Sequence, residues 1–136
     1  MRYLLDLSAI SEPLRPKPAS GVMRNLREHG GETAIPAPVW HELQYGCARI
    51  PPSQSRQAIE CFVESVVLAS FPILDYYRSA ADWHALERAR LAAGGNSPPF
   101  VNGQIGAITH VNDFILISSL IGNFKAIQGL KLRSWA

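Results

Sequence analysis

The chain has 136 residues, 47% of them hydrophobic, and a formal charge of +2. That is enough to bury one core without disulfides or a structural metal, so residues 1–136 are expected to form a single domain. The small charge excludes nucleic-acid binding driven by bulk charge alone, which needs clustered cations. Two cysteines, Cys47 and Cys61, match no disulfide framework or zinc spacing and are expected as buried small hydrophobes in a reducing cytoplasm.

At the N-terminus, "MRYLLDLSAI" meets Asp6 after only two leucines, too soon for a signal-peptide core. No apolar run of the chain approaches membrane-spanning length, so a soluble, cytoplasmic protein with no membrane partner is expected. "YLLDL" at 3–7 is a short apolar run suited to a buried parallel strand with Asp6 at its carboxyl end. Three prolines follow in "SEPLRPKPAS", and Ser20 is placed to cap a helix from about Gly21 to His29 that buries Val22, Met23 and Leu26 before Gly30-Gly31 stops it.

"TAIPA" at 33–37 is the second strand, with Pro36 and Pro38 marking a helix start. From Val39 to Ile50 the residues Val39, Leu43 and Cys47 recur at helical spacing, and Pro51-Pro52 breaks the pattern. Ser53 caps the next helix, whose buried face is expected to carry Ile59, Phe62, Val63, Val66 and Val67. "FPILDY" at 71–76 reads as a third strand, followed by a helix from about Ser79 to Ala93 with Trp83, Leu86 and Ala89 inward.

"GGNSPPF" then leads to a helix beginning near Asn102, with Ile105, Ala107, Ile108 and Val111 as its buried stripe. "FILISSL" at 114–120 is a strongly apolar strand, and "LKLRSW" can add an edge strand. Strands alternating with helices imply an α/β fold, a parallel sheet covered on both faces, with ligands bound at the carboxyl ends of the strands.

In such a sheet Asp6, at the end of the first strand, and Glu42, in the first turn of the helix after the second, converge on one pocket. With the hydroxyls of Ser8 and Ser11 nearby, two carboxylates can hold a hard cation such as Mg²⁺. The structural alternatives are equally open: an acid favoured by the helix dipole at Glu42, and a strand-end acid capping a loop at Asp6. His41, beside Glu42, is a candidate proton shuttle, but adjacent helix residues point to different faces. His84 and His110 are expected as surface or packing residues, and Trp40, Trp83 and Trp135 as fillers of the core or of a dimer seam.

The segments "LLDLSAISEPLRPKP", "IPAPVWHELQYGCARIPPSQSR", "PPFVNGQIGAITHVNDFILISS" and "NFKAIQGLKLRSW" follow one another in an order that resembles the VapC-type toxins of the PIN-domain family. The resemblance implies a three-layer α/β/α sandwich around a mainly parallel sheet, a homodimer, and a small antitoxin partner through which operator DNA is reached. It also implies a Mg²⁺- or Mn²⁺-dependent endoribonuclease acting on RNA of the transfer RNA class. Asp6 and Glu42 match two acids of that family's metal site, and Ser8 keeps one of the hydroxyls that follow the first acid.

The other acid positions depart from the family. The third falls on Asn102, and the fourth lies in "SSLIGNF", where Leu120 and Asn123 stand. Asp113 precedes the fourth strand, and about five residues of strand separate its two ends by roughly 17 Å, so it is expected to be a turn residue. The site therefore has two fewer negative charges than a four-acid ring. Weak binding of Mg²⁺ or Mn²⁺ and impaired or lost ribonuclease activity are expected at Asp6, Glu42 and Asn102, since an amide oxygen offsets no charge.

An inactive PIN-fold protein that captures or buffers an antitoxin is the alternative. Arg15, Lys17, Arg88 and Arg90 are the residues expected to steer RNA. Asn102-Gly103 is a pair open to deamidation, which a helical backbone is expected to block.

Overall fold

The computed structural model describes residues 2 to 136. Strand β1 (Tyr3–Leu5) is short and wholly buried, as expected of a central parallel strand that is apolar on both faces. It ends earlier than the apolar run predicts. Asp6 leaves the strand to cap helix α1 (Leu7–Ile10), which turns Leu7 out to 38% exposure.

A 3₁₀ turn (Glu12–Leu14) leads to α2 (Ser20–His29), whose N-cap is Ala19 and which has no side-chain cap, so Ser20 opens the helix instead of capping it. Val22 is fully buried there, while Met23 and Leu26 are half-buried. Strand β2 (Thr33–Pro36) is buried throughout and runs directly into α3 (Ala37–Ala48), with Pro38 in its first turn.

Ser53 caps α4 (Gln54–Phe62) as the spacing predicts, its hydroxyl accepting from the Arg56 amide at 3.1 Å. The helix then widens to a π-helical segment, Val63–Leu68. That change of pitch keeps Val63 and Val67 inside but rotates Val66 out to 44% exposure. Cys61 is likewise exposed, against expectation, whereas Cys47 is buried.

Strand β3 (Ile73–Leu74) is only two residues long. In α5 (Arg78–Ala93) the inward residues are Ala80, His84 and Leu91, with Trp83 half-buried. Leu86 and Ala89 face outward, Leu86 at 76% exposure. This helix is apolar on both sides, so periodicity alone selected the wrong stripe. Helix α6 (Phe100–Val111) begins two residues before Asn102, and buries Ile105, Ala107 and Ile108 while Val111 stays 38% exposed. Strands β4 (Ile115–Ile117) and β5 (Leu132–Arg133) complete the sheet, with a 3₁₀ turn (Ile121–Asn123) between them.

The strand order is β3-β2-β1-β4-β5, and every pairing is parallel. From β1 the chain adds strands first on one side and then returns to add them on the other. Right-handed crossovers in opposite directions cover opposite faces of the sheet, which gives the three-layer α/β/α arrangement. The reversal falls between β1 and β4, where Tyr3, Leu4 and Leu5 pair with Ile115, Leu116 and Ile117. In open α/β sheets the crevice beyond the carboxyl ends at such a reversal is where ligands bind. Among the described residues, no helix is long and apolar enough to cross a membrane.

Candidate functional site

A cleft of about 450 Å³ lies at that reversal point. It is lined by Asp6, Leu7, Ser8, Ser11, Val39, Glu42, Val101, Asn102, Ile105, Leu120, Asn123 and Phe124. All six residues that the sequence assigns to the acid positions and their supporting hydroxyl, Asp6, Ser8, Glu42, Asn102, Leu120 and Asn123, meet there. They come from separate elements: Asp6 from the end of β1, Ser8 from α1, Glu42 from α3, Asn102 from the first turn of α6, and Leu120 and Asn123 from the turn after β4.

Asp6 is the best-determined member. Its backbone continues the β1–β4 ladder by donating its amide to the Ile117 carbonyl at 3.1 Å, and its side chain is only 5% exposed. The Oδ1 atom accepts from the Ser8 hydroxyl at 2.6 Å and from the Ala9 amide at 2.9 Å. The Oδ2 atom accepts from the Ser118 hydroxyl at 2.5 Å. Ser118 was not singled out by sequence reasoning. Its signal was the run "LISS" closing the strand that pairs with β1 residue for residue, which places its hydroxyl level with Asp6.

These hydroxyls are themselves occupied as acceptors. The Ser119 amide donates to Ser8 Oγ, and the Leu120 amide to Ser118 Oγ, both at 2.9 Å. Glu42, by contrast, is half-buried and has no hydrogen-bond partner among the described residues. Asn102 is half-buried within helical backbone, and Asn123 is exposed at the end of its 3₁₀ turn.

Mg²⁺ and Mn²⁺ take oxygen ligands, and carboxylates among them supply the compensating charge. Among the described residues, no group of three or more His, Cys, Asp or Glu stands together as a metal cluster. The cleft has two carboxylates, and both oxygens of Asp6 already accept protein donors. Asp6, Glu42 and the amide oxygen of Asn102 are the groups that would hold a divalent cation there, with less compensating charge than a ring of four acids supplies.

The four cationic residues lie off the cleft wall. Arg15 is ion-paired with Glu12 at 3.3 Å, and Lys17 is exposed. The Arg88 guanidinium lies 5.0 Å from the centre of the Phe100 ring. Arg90 donates to both Glu87 carboxylate oxygens at 2.7 Å and to the Ala126 carbonyl at 3.1 Å. Glu87 in turn accepts the Gln128 amide at 2.7 Å. Arg90 thereby ties the segment after Phe124 to α5.

Behind the cleft, His84 is buried and its Nδ1 lies 2.8 Å from the Tyr76 hydroxyl. Burial, and secondarily the charge of Arg88, push the imidazole below its ordinary range, while burial raises Tyr76. A neutral His84 accepting from Tyr76 satisfies both. His84 is thus a packing residue, and exposed His110 stacks on Trp83 with ring centroids 4.4 Å apart. Trp135 is buried against Tyr3, whereas Trp40 and Trp83 are half-buried. Asp113 occupies a left-handed turn with φ 56 and pairs with Lys131 at 2.8 Å, at the opposite end of β4 from the cleft.

No family model matches the chain, and no curated protein sequence matches it. Solved structures do. A chain in the structure of FitAB bound to an IR36 DNA fragment is 24% identical, with a TM-score of 0.88 over 98% of this chain and 96% of that one. FitAcB from Neisseria gonorrhoeae gives 25% identity and a TM-score of 0.86, over 96% of this chain and 95% of that chain. VapBC2 from Rickettsia felis, bound to a DNA fragment from its promoter, gives 22% identity and a TM-score of 0.84 with both chains covered entirely. The chain has the PIN-domain fold found in these VapBC and FitAB toxin–antitoxin complexes, and the resemblance read from its sequence holds at the level of the fold.

Proposed function

We propose that the chain is the toxin-like member of a toxin–antitoxin pair, built on the fold of a Mg²⁺- or Mn²⁺-dependent endoribonuclease whose catalysis is weakened or lost. The observation that carries this reading is the cleft itself. It stands where the fold positions a ligand, yet two of its four expected acid positions hold amides. Asn102 and Asn123 keep oxygen atoms near Asp6 and Glu42 but add no charge to hold a cation or accept a proton from water.

The partner in this reading is a small antitoxin, and the RNA, if one is still cleaved, is of the transfer RNA class. Operator DNA is reached only through the antitoxin. Support for the partner comes from a second surface, an apolar groove of about 600 Å³ between α2 and α4, lined by Ile10, Met23, Leu26, Phe62, Val66 and Phe71 among others. An amphipathic helix seats its apolar face in such a groove. With two acids missing from the cleft, these apolar contacts outweigh any ion pair made there.

Calorimetric titration with Mn²⁺ beside an RNA-cleavage assay tests the enzymatic half. Tight binding with chelator-sensitive turnover overturns it. The alternative reading, an inactive protein that captures or buffers an antitoxin, is favoured by the amides at Asn102 and Asn123, where acids are expected. Capture of a small antitoxin-type protein, together with absence of turnover, selects it.

A further inference from the structure

We propose that a small cavity across the N-terminal end of α6 from the cleft, walled by Arg88, His84 and Phe100, is a subsite for a phosphate group, and that it takes a backbone phosphate of RNA entering the cleft. The second half rests on the reading of the chain as a relative of a ribonuclease; the first half does not.

The cavity, of about 90 Å³, lies between α5 and the first turn of α6, with Trp83, His84, Glu87 and Arg88 on one wall and Phe100 and Gly103 on the other. Pockets for drug-sized ligands begin at roughly 300 Å³, so this one suits a single small group and not a nucleoside. Of the cations expected to meet RNA, Arg15 and Arg90 are ion-paired with Glu12 and Glu87. Arg88 is exposed, and its guanidinium is held 5.0 Å from the Phe100 ring centre with no carboxylate partner among the described residues. The acid on the same wall, Glu87, is matched by Arg90, which donates to both its oxygens, and by the Gln128 amide. The cavity therefore keeps the positive charge of Arg88.

His84 supplies a second donor. It is only 5% exposed, and its Nδ1 lies 2.8 Å from the Tyr76 hydroxyl. With Nδ1 accepting from Tyr76, the ring hydrogen sits on Nε2. That atom has no hydrogen-bond partner among the described residues, and it stands beside Gly103, where a β-carbon would lie 2.1 Å away. A buried N–H without an acceptor is unfavourable, and a phosphate oxygen in the cavity supplies one. The first amides of the twelve-residue α6 have no intrahelical acceptor and add their partial positive charge.

Helix α6 joins the two sites. Asn102 and Ile105 line the cleft, whereas Phe100 and Gly103 line the cavity, so the sites are separated by the width of one helix, about 10–12 Å. An RNA strand crossing the helix end presents phosphates to both. The carboxylates of Asp6 and Glu42 repel those phosphates when no cation is bound, and the Arg88 cavity anchors the strand beside them.

Two titrations of the full chain, both in EDTA, test the proposal. Sodium phosphate, compared with sodium chloride at equal ionic strength, is followed by the indole N–H resonance of Trp83, assigned with Trp83→Phe. A labelled single-stranded RNA is followed by fluorescence anisotropy over a range of salt concentrations. The subsite predicts a saturable shift with phosphate that Arg88→Ala weakens at least about tenfold. It predicts that the same variant lowers the log–log salt slope of RNA binding by about 0.7, the loss of one phosphate contact. Arg78→Ala, at the far end of α5 and off the cavity wall, is expected to change neither. Arg88 is exposed, so its variant is expected to keep the circular dichroism spectrum of the unaltered chain. No saturable shift, or full phosphate binding in Arg88→Ala, overturns the subsite. Weakened phosphate binding with an unchanged RNA slope assigns the site to free phosphate and overturns the RNA half. Failure of RNA to bind the unaltered chain counts against the ribonuclease-like reading, while the phosphate titration still decides the subsite.

Discussion

Asn102 and Asn123 differ from aspartate by one amide nitrogen each, and that exchange decides how the cleft treats charge. Two unit charges 4 Å apart interact by about 4 kcal/mol at an effective dielectric near 20, and the half-exposed setting of Asn102 reduces this. The double variant Asn102→Asp, Asn123→Asp is expected to tighten Mn²⁺ binding at least about tenfold, or about 1.4 kcal/mol, and to yield chelator-sensitive RNA cleavage. Isothermal titration and gel-based cleavage read both, and equal activity before and after the exchange contradicts the proposed cause. His84 carries a prediction of a different kind. Burial lowers its pKa in the folded state, so the unfolded chain takes up the proton first. Its contribution to stability is complete above about pH 6.5 and is lost progressively from there as pH falls through its lower folded-state pKa. Tm measured from pH 8 to 5 is expected to drop below pH 6.5, and His84→Gln is expected to flatten that drop.

At the scale of elements, the entry of α6 into the cleft depends on its contact with α5. Gly103 lies directly beneath the His84 imidazole, so close that a β-carbon built there collides with the ring. The absence of a side chain at Gly103 lets the first turn of α6, with Asn102, approach α5. Gly103→Ala is expected to destabilise the protein by about 1–3 kcal/mol through overpacking. His84→Ala in the same chain is expected to recover part of that loss, since the two positions share one contact. Chemical denaturation of the two single variants and the double variant measures the coupling, and simple additivity argues against the contact. The same helix α5 holds the segment after Phe124 through Glu87 and Arg90, which gives Arg90 a role in shaping the far wall of the cleft.

For the whole molecule, the parallel order with β1 at its centre makes a small site from residues far apart in sequence, Asp6 and Ser118 being separated by 112 positions. The outward face of α5 presents Leu86 at 76% exposure and the preceding loop presents Tyr77 at 68%. The family resemblance implies a homodimer, and these two side chains are candidates for its seam. Sedimentation is expected to give twice the chain mass of 15.0 kDa, and Leu86→Glu is expected to return the single-chain mass with an unchanged circular dichroism spectrum. A single-chain mass for the unaltered protein contradicts the homodimer that the family resemblance implies.

The sequence by itself determined the alternation of strands and helices, the buried strands and the meeting of Asp6 with Glu42, because a parallel sheet brings its strand ends to one edge, while Asn102, Leu120 and Asn123 were assigned to the cleft by the family resemblance. The apolar runs at Tyr3–Leu5 and Ile115–Ile117 and the proline-marked start of α3 were legible from composition alone. The places where it misled have local physical reasons. Periodicity cannot choose a face in α5, where both sides are apolar. A π-helical segment shifts the register that exposes Val66, and a capping aspartate ends β1 two residues before its apolar run does. Only the tertiary structure decided what surrounds Asp6. Ser8 lies two positions away and is visible at once, but Ser118 reaches the same carboxylate through the pairing of β1 with β4. "PPFVNGQIG" revealed the amide at Asn102, and the folded chain places it in the same cleft as a carboxylate that already accepts three donors.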